Sequence, residues 1–461
     1  MRLRSFFFVF LCLPLALARA EDSAIERGPW SGAVTPSNAV VKAKLAREGA
    51  LAKLLVSPFP DFRSPLYFGT ARADGNVNNR VVSFRAQGLQ PDTPYYYVLE
   101  VNGRRALDRV GRFRTFPAGP ASFTFAYASC AQTASASPVF STILQNQPLF
   151  YMCVGDFHYL NIRTNNRSMF RQAYDLVLSS PTQAELYRNV SFVYIWDDHD
   201  FGGDNSNRRA SSHEAARKTY EEYVPHYPLA AGRLGDVPIY QAFTVGRARF
   251  ILTDLRSERS PSHLPDSAVK SMMGAPQLAW FKHELLAARG RYPLIFWVSS
   301  VPWLGEAGVN YYPLPNTNVT GVLASTEAAF KPGFFPWGED HWSVYAAERR
   351  AIADFIKANQ IKGVCILHGD AHSLSADDGR HADFATGGGA RIPVMGAAPL
   401  DQSPSIKGGP YSQGVYVHQP GEGCFGLVTV TDEDGRLTVN FSGRNQFNEE
   451  KIALKFPVPG R

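Results

Sequence analysis

Cysteine is scarce in this chain of 461 residues, which contains only five. Cys12 lies in an N-terminal apolar run, and the other four are far apart along the sequence. Small secreted proteins that depend on disulfides are much richer in cysteine, so the sequence excludes a disulfide scaffold. Cys153 and Cys365 each lie within an apolar run and are predicted to be small core residues.

A large excess of either charge is also absent, because 47 basic residues face 41 acidic ones and the net charge is +6. Removal of an N-terminal leader containing Arg2, Arg4 and Arg19 would lower that net charge to +3. Such a balance gives no electrostatic reason to expect a nucleic-acid polymer as a partner.

Long apolar runs are missing beyond the N-terminus, so we predict no transmembrane segment. The first 20 residues combine basic residues, a short apolar run at 6–18 and a small-x-small site at 18–20. This combination is typical of a secretory signal peptide. We therefore expect cleavage near Ala20 and a secreted or periplasmic protein.

Residues 28–118 alternate short strands with turn signals and show no helical pattern, which predicts a small β-sandwich. Two elements, Leu-x-Pro-x-Thr-x-Tyr-Tyr-Tyr at 89–97 and Phe-x-Thr-Phe-Pro at 113–117, resemble a fibronectin type III module.

Strands alternate with helices from residue 121 to residue 455, which predicts a layered α/β domain with sheets packed between helices. A segment rich in Pro, Gly and Asn at 302–340 looks like a long insertion near the site. We expect this insertion and residues 408–412 to shape the pocket.

Five of the predicted strands end in polar residues. These ends are Ser129-Cys130, Gly155-Asp156, Asp197-Asp198-His199, Ser299-Ser300 and Gly369-Asp370-Ala371-His372. Right-handed crossovers would place all five ends at one edge of one sheet. Neighbouring carboxylates repel each other and lose hydration there, and bound cations would relieve both costs. Carboxylate, amide and imidazole ligands suit hard or borderline metals, and two metals bridged by one aspartate suit hydrolysis at phosphorus.

Three motifs follow the Ser-Cys pair in a specific order: Gly-Asp-x-x-Tyr at 155–159, Trp-Asp-Asp-His-Asp at 196–200 and Gly-Asp-x-His at 369–372. In this order and spacing the chain resembles the PhoD-type alkaline phosphatases, distant relatives of calcineurin-like metallophosphoesterases and purple acid phosphatases. The resemblance covers most of the chain. It implies an α/β/β/α metallophosphoesterase-like domain, and a metal-dependent esterase for phosphomonoesters, phosphodiesters or phospholipids. We expect a monomer.

The resemblance also implies roles for individual residues. The implied metal ligands are Cys130, Asp156 as the bridging carboxylate, Tyr159, Asp198, Asn205, Asp370 and His372. His199 would lie near the leaving-group oxygen, and Arg171 would clamp the phosphate. Thiolate and phenolate favour Fe(III), whereas an oxygen-rich second site favours Ca(II), and other divalent metals could substitute.

Two departures from the family pattern leave alternatives open. The loop at 201–205 is displaced by one position, so Asp204 competes with Asn205 for the calcium side. Ser299-Ser300 stands where calcineurin-like enzymes carry a histidine. These departures allow a second hypothesis, a secreted binding protein that kept the fold and lost activity. Asp254 and Arg256 are expected to pair with each other and to support the site.

Overall fold

The computed structural model describes residues 23–232, 236–305 and 340–460, and the backbone of three short strands between residues 310 and 333. The predicted signal peptide lies outside the described residues, as does most of the predicted insertion at 302–340. In the described part of the chain, every helix is too short or too polar to cross a bilayer.

The N-terminal part consists of strands and one short helix. Its elements are β1 (Ile25–Gly32), β2 (Asn38–Leu45), β3 (Leu51–Ser57), β4 (Leu66–Arg72), α1 (Gly75–Asn78), β5 (Val81–Gln87), β6 (Pro94–Val101), β7 (Arg104–Arg105) and β8 (Gly111–Arg114). The strands β1, β2 and β5 form one antiparallel set, and β4, β3, β6, β7 and β8 form another. Buried side chains of both sets, among them Val41 and Leu54, share one core. This part is therefore two-layered.

The remaining chain adds sixteen strands and seven helices within the described residues. They are β9 (Phe123–Ala128), α2 (Val139–Gln145), β10 (Phe150–Val154), α3 (Arg167–Ser179), α4 (Pro181–Asn189), β11 (Ser191–Ile195), α5 (Asp198–Phe201), α6 (His213–Tyr223), β12 (Gln241–Val245), β13 (Ala248–Leu252), α7 (Ala275–Ala288), β14 (Leu294–Ser299), β15 (Asn310–Pro313), β16 (Gly321–Leu323), β17 (Phe330–Gly333), α8 (Ala346–Ala358), β18 (Val364–His368), β19 (Leu374–Asp377), β20 (Val394–Ala397), β21 (Val415–Val417), β22 (Cys424–Glu433), β23 (Arg436–Asn445) and β24 (Glu450–Pro457).

Most of these strands form two large mixed sheets. The first sheet has the order β24-β23-β22-β9-β10-β11-β1-β2-β5, and the second has the order β12-β13-β14-β18-β20-β19-β21-β16. In the first sheet β1 pairs in parallel with β11, where Gly32 lies opposite Phe192. The N-terminal strands thus continue the first sheet across the boundary that we predicted near residue 118.

The two sheets pack face to face, and alternate side chains of β14 separate into two cores. Phe296 faces the first sheet, with its ring 5.3 Å from that of Phe125. Its neighbour Trp297 faces the other way and lies 4.6 Å from Phe281 of α7. Helices α3, α4 and α6 cover the opposite face of the first sheet. The order of layers is α/β/β/α.

The strand ends that carry the predicted ligands lie on two sheets, so our expectation of a single sheet is corrected. In the first sheet β9, β10 and β11 run parallel, and in the second sheet β14 and β18 run parallel. The chain leaves the first sheet after β11 and builds a second parallel set. The ends of both sets point to the same side, because the sheets stack with similar strand directions.

The aromatic side chains between the sheets should contribute strongly to stability. Phe125 is fully buried, 4.9 Å from the ring of Phe150 and 5.3 Å from those of Phe250 and Phe296. We expect Phe125→Ala to reduce the free energy of unfolding by about 3–5 kcal/mol, measured by urea denaturation. The control Phe447→Ala, at a residue 68% exposed, should change it by at most about 0.5 kcal/mol. Equal effects of the two variants would contradict this packing.

Candidate metal centre

Asp156 lies at the end of β10, where the first sheet meets the second. The preceding residue, Gly155, has a φ of +96°, and a Cβ there would lie 2.4 Å from the Cβ of Asp197. Only glycine therefore allows the ends of β10 and β11 to approach this closely. The glycine of the Gly-Asp motif brings Asp156 beside Asp197.

Asp370 reaches the same place from the second sheet. A Cβ at Gly369 would lie 2.6 Å from the backbone oxygen of Val154 and 2.6 Å from the hydroxyl oxygen of Ser129. That hydroxyl also accepts a hydrogen bond of 3.1 Å from the backbone N–H of Asp370. The second Gly-Asp motif thus joins the two sheets at their strand ends.

Several predicted ligands have an unusual backbone conformation. Positive φ angles of 51–62° occur at Cys130, Asp156, Asn205, Asp370 and His372. Residues other than glycine rarely adopt this left-handed backbone conformation, because their Cβ then crowds the backbone. Five such residues around one point are typical of a functional site, where the surrounding structure stabilises the strained backbone.

A first group of ligand candidates surrounds one oxygen of Asp156. The thiol of Cys130 lies 3.4 Å from Oδ2 of Asp156, and the hydroxyl of Tyr159 donates to the same oxygen at 2.7 Å. The Tyr159 hydroxyl also lies 3.2 Å from Nε2 of His372. Burial and then the nearby carboxylates raise the pKa of the Cys130 thiol. A cation bound here would displace that proton, since thiolate is the ligand form.

The ring of His372 is held in the orientation of a ligand. Its Nδ1 lies 2.7 Å from the backbone oxygen of Ser403, so Nδ1 carries the proton and Nε2 faces the group. Burial lowers the pKa of His372 to about 4, with the charge of Lys407 acting in the same direction. The imidazole is therefore neutral at pH 7 and able to donate a lone pair.

Four buried aspartates, Asp156, Asp197, Asp198 and Asp370, form what we call the acidic cluster. Potential ligand atoms lie within 4.8 Å of one another in three groups. The groups are Cys130 with Asp156 and His372, Asp156 with Asp198 and His199, and Asp156 with Asp197 and Asp370. Asp156 belongs to all three. This is the position that a carboxylate bridging two cations would take.

One oxygen of each aspartate in the acidic cluster has no hydrogen-bond partner among the described residues. These atoms are Oδ1 of Asp156, Oδ2 of Asp197, Oδ1 of Asp198 and Oδ2 of Asp370. A buried carboxylate oxygen without a partner is costly, because it has lost water and gained nothing in exchange. Cations bound among these oxygens would remove the cost, so the residues present fit metal ions.

Burial and mutual repulsion shift the acid equilibria of the cluster. Burial and then Asp198 and Asp197 raise the pKa of Asp156 well above its usual range. The pKa of Asp197 rises to about 8, because burial outweighs the opposing charge of Arg256. Burial by itself would raise the pKa of Asp198, but Arg256, His199 and Lys407 together lower it.

A single helical turn, α5, orients Asp198. The carboxylate of Asp200, at the third position of this turn, reaches back to the backbone of Asp197 at its start. Asp200 accepts hydrogen bonds from the backbone N–H groups of Asp197 at 3.1 Å and of His158 at 3.0 Å. Asp200 therefore holds the loops of β10 and β11 together without being one of the clustered ligand candidates.

Two cationic residues contact the acidic cluster: Arg256, which was expected to support the site, and Lys407, which the sequence did not assign to it. Arg256 donates from Nε to Oδ1 of Asp197 at 2.5 Å and binds Asp340 through Nη1 at 2.9 Å. Lys407 places Nζ 2.5 Å from Oδ1 of Asp370. Asp340 is the last residue of the segment at 302–340, and Lys407 directly precedes the segment at 408–412. Both segments were expected to shape the pocket, but no local pattern distinguishes either residue.

Our expectation that Asp254 and Arg256 pair through their side chains is wrong. Only the backbone N–H of Arg256 donates to Asp254, at 3.0 Å. The carboxylate of Asp254 instead accepts from Nε1 of Trp196 at 2.9 Å and from the hydroxyl of Ser257 at 2.6 Å. The guanidinium turns to the acidic cluster, where three carboxylates surround it.

Arg171, the predicted phosphate clamp, is not brought to the acidic cluster. Its Nε and Nη2 bind the two carboxylate oxygens of Glu222 at 2.8 Å and 3.0 Å. This bidentate pair between α3 and α6 uses the guanidinium fork. At the strand end of β14, Ser300 donates to Oδ1 of Asp197 at 2.7 Å, so that end supplies a supporting hydroxyl.

The loop after α5 lies beside Asp198. The backbone N–H of Asn205 donates to Oδ2 of Asp198 at 2.7 Å, and its side chain donates to Oδ2 of Asp204 at 3.0 Å. Both loop residues line an open cleft of about 290 Å³. Asn205 therefore contacts the acidic cluster through its backbone, while its side chain engages the competing candidate.

Comparison with known proteins identifies the family of this chain. A sequence profile described as PhoD-like phosphatase matches residues 125–395, which is more than half of the chain. The chain belongs to the PhoD-like phosphatase family. The matched range begins in β9 and ends in β20, so it includes all four members of the acidic cluster.

One relative of this PhoD-like chain is alkaline phosphatase D of Bacillus subtilis (strain 168), which is 25% identical over 399 residues. The alignment covers 77% of this chain and 62% of the relative, so it spans less than two thirds of the relative's length. The solved structure of PhoD matches with a TM-score of 0.75 and 18% identity, over 95% of this chain and 91% of the other.

The purple acid phosphatase PPD1 of yellow lupin (Lupinus luteus) matches with a TM-score of 0.60 and 12% identity, over 94% of this chain and 75% of that one. At these identities the solved structures show a shared fold.

The raised pKa values lead to a prediction for the metal-free protein. Asp197 and Asp200 titrate at about 8 and about 7 in the folded state, against an ordinary value of 3.8. The folded state therefore keeps protons that the unfolded state has lost, so stability should fall as the pH rises from about 4 to about 8. Cations bound to the acidic cluster would replace the proton of Asp197 and should remove its part of this loss.

Thermal unfolding at several pH values in that range, with and without chelator, measures the effect. We expect the difference in melting temperature between metal-loaded and chelated protein to grow as the pH rises. A difference that stays constant or shrinks would contradict the assignment of cations to the acidic cluster.

Proposed function

We propose that this protein is a secreted, metal-dependent phosphoesterase that hydrolyses phosphomonoesters, phosphodiesters or both. The observation that carries the proposal is the position of Asp156, which belongs to all three groups of clustered ligand atoms. Four buried carboxylate oxygens without hydrogen-bond partners among the described residues support it. The names of the relatives, an alkaline phosphatase D and a purple acid phosphatase, agree with phosphate ester hydrolysis.

The donor atoms divide between two kinds of cation. Cys130, Tyr159 and His372 offer sulfur, phenol oxygen and nitrogen beside Oδ2 of Asp156, which suits Fe(III). Asp197 and Asp370, grouped with Asp156, offer oxygen only, which suits Ca(II) or another hard divalent cation. Asp198, grouped with Asp156 and His199, adds a further carboxylate. When bound, such cations supply Lewis acidity toward phosphoryl oxygen and toward water.

His199 is positioned to exchange a proton with the leaving group. Oδ1 of Asn161 accepts the backbone N–H of Asp204 at 3.1 Å, which identifies it as an acceptor. Because His199 Nδ1 lies 2.6 Å from the same oxygen, Nδ1 donates to it and Nε2 is left for proton exchange. Oδ1 of Asp204 lies 3.8 Å from Nε2 and would stabilise the protonated ring. These contacts hold the ring beside Tyr159, with the two ring centres 4.1 Å apart.

The domain organisation and location form part of the same proposal. Residues 1–20 would be a signal peptide, 28–118 a fibronectin type III-like sandwich and 121–455 the phosphatase domain. The two-layered N-terminal strands support the second assignment. The substrate would be a small phosphate ester or a phospholipid, and the protein would act outside the cytoplasm as a monomer.

Hydrolysis of a chromogenic phosphomonoester and a chromogenic phosphodiester tests the activity. Purified protein is assayed after chelation and after addition of iron, calcium, manganese or zinc. We expect activity that chelator removes and that iron with calcium restores. No turnover of either ester with any of these metals would overturn the proposal and favour the alternative of a binding protein.

Asp156→Asn should abolish hydrolysis and reduce the bound metal together, because the substitution weakens a ligand that would serve two cations. The rate constant for hydrolysis should fall at least about 100-fold, as for loss of the groups that orient metals in other enzymes. Elemental analysis by mass spectrometry measures the metal. Asp61→Asn, at an exposed residue outside the acidic cluster, is the matched control and should change neither quantity. Full turnover in Asp156→Asn would contradict the bridging role.

A further inference from the structure

Within the described part of the chain, Arg256 and Lys407 are the arginine and lysine side chains that form ion pairs with the acidic cluster. They differ in side-chain exposure and in the number of protein groups that they bind. The Arg256 side chain is 0% exposed, and its hydrogen bonds go to Asp197, Asp340 and the backbone oxygen of Ser206. Arg256 is thus fully engaged in holding protein groups.

Lys407 is less buried than Arg256. Its side chain is 23% exposed, and its ammonium makes one hydrogen bond to a described residue, Oδ1 of Asp370. An ammonium carries three N–H donors. Lys407 therefore retains donors that can bind a ligand entering the centre.

The two oxygens of Asp370 face different partners. Oδ1 binds Lys407, whereas Oδ2 has no hydrogen-bond partner among the described residues. Asp370 also contributes a ligand atom to the group that contains Asp156 and Asp197. A cation on Oδ2 and the ammonium on Oδ1 can therefore be present together. Lys407 thus binds one oxygen of Asp370 and leaves the other for the candidate cation.

We propose that Lys407 binds a nonbridging oxygen of the substrate's phosphoryl group. This inference rests on the proposed phosphoesterase function and names the side chain that recognises the phosphoryl charge. A lysine ammonium is a compact positive charge that can follow a phosphoryl oxygen as the geometry at phosphorus changes. Lys407 thereby takes the role that we expected for Arg171, whose guanidinium is bound to Glu222.

The backbone next to Lys407 is held by a close contact with another segment. It immediately precedes Gly408, where a Cβ would lie 2.6 Å from the backbone oxygen of Leu304. The segment after Lys407 is therefore packed closely against the segment that follows β14. This contact fixes the backbone from which the lysine side chain reaches Asp370.

The test compares Lys407→Met and Lys407→Arg with the wild-type full-length protein loaded with metal. Binding of inorganic phosphate is measured by calorimetry, hydrolysis by the KM and kcat for a chromogenic phosphomonoester, and metal content by elemental mass spectrometry. In Lys407→Met we expect phosphate affinity to fall about 10- to 100-fold, as for loss of a hydrogen bond between charged groups, with KM rising in parallel. Metal content should stay unchanged, and Lys407→Arg should restore most of the affinity.

Lys218→Met is the matched control, because Lys218 also forms an ion pair, with Glu214 at 2.6 Å, but on the exposed face of α6. It should leave phosphate affinity and KM unchanged. If Lys407→Met fails to fold by circular dichroism, Lys407→Gln provides the neutral variant.

Unchanged phosphate affinity in Lys407→Met or Lys407→Gln would overturn the inference. A changed metal content would also overturn it, because Lys407 would then act on the cations rather than on the substrate. Failure of the proposed function is recognised separately, by a metal-loaded wild-type protein that hydrolyses neither ester. In that case a loss of phosphate affinity in the variant would still assign Lys407 to an anion site.

Discussion

The repulsion among four buried aspartates is the constraint on which the rest of the site depends. Burial removes the water that would stabilise their charges, and each raises the free energy of ionising the next. The chain offsets part of this cost with Arg256 and Lys407, which bind Asp197 and Asp370. One oxygen of each aspartate still lacks a hydrogen-bond partner among the described residues. We propose that these four oxygens are the ones that cations would bind.

The fold brings these charges together by stacking two sheets whose strands end at the same place. The inter-sheet core is rich in phenylalanine, and its packing fixes the relative position of the sheets. At the strand ends the core is followed by Gly155 and Gly369. Because these residues lack a Cβ, the neighbouring strand ends can approach each other closely. The N-terminal strands lengthen the first sheet through β1 and help to hold β11, which carries Asp197 and Asp198, in place. Packing in the core therefore determines the geometry of the ligands.

Sequence patterns predicted the individual elements better than their assembly. Strands and helices alternate after residue 121 as predicted, because the apolar spacing that distinguishes them is a local property. The strand ends with Cys130, Asp156 and Asp370 were recognisable for the same reason. The division into two sheets was not, since local patterns do not say which strands pair. Arg256 binds a carboxylate 59 positions away, and Lys407 binds one 37 positions away. Such partners are chosen by tertiary packing, which also turned Arg171 toward Glu222.

The most direct test of the central claim is a crystal structure of the metal-loaded protein with anomalous diffraction data. The account predicts anomalous density beside Asp156, with ligand distances of roughly 2.0–2.6 Å to oxygen and nitrogen and about 2.3 Å to the sulfur of Cys130. It further predicts that both oxygens of Asp156 contact cations. Cations bound elsewhere, with Asp156 contacting none, would contradict the account.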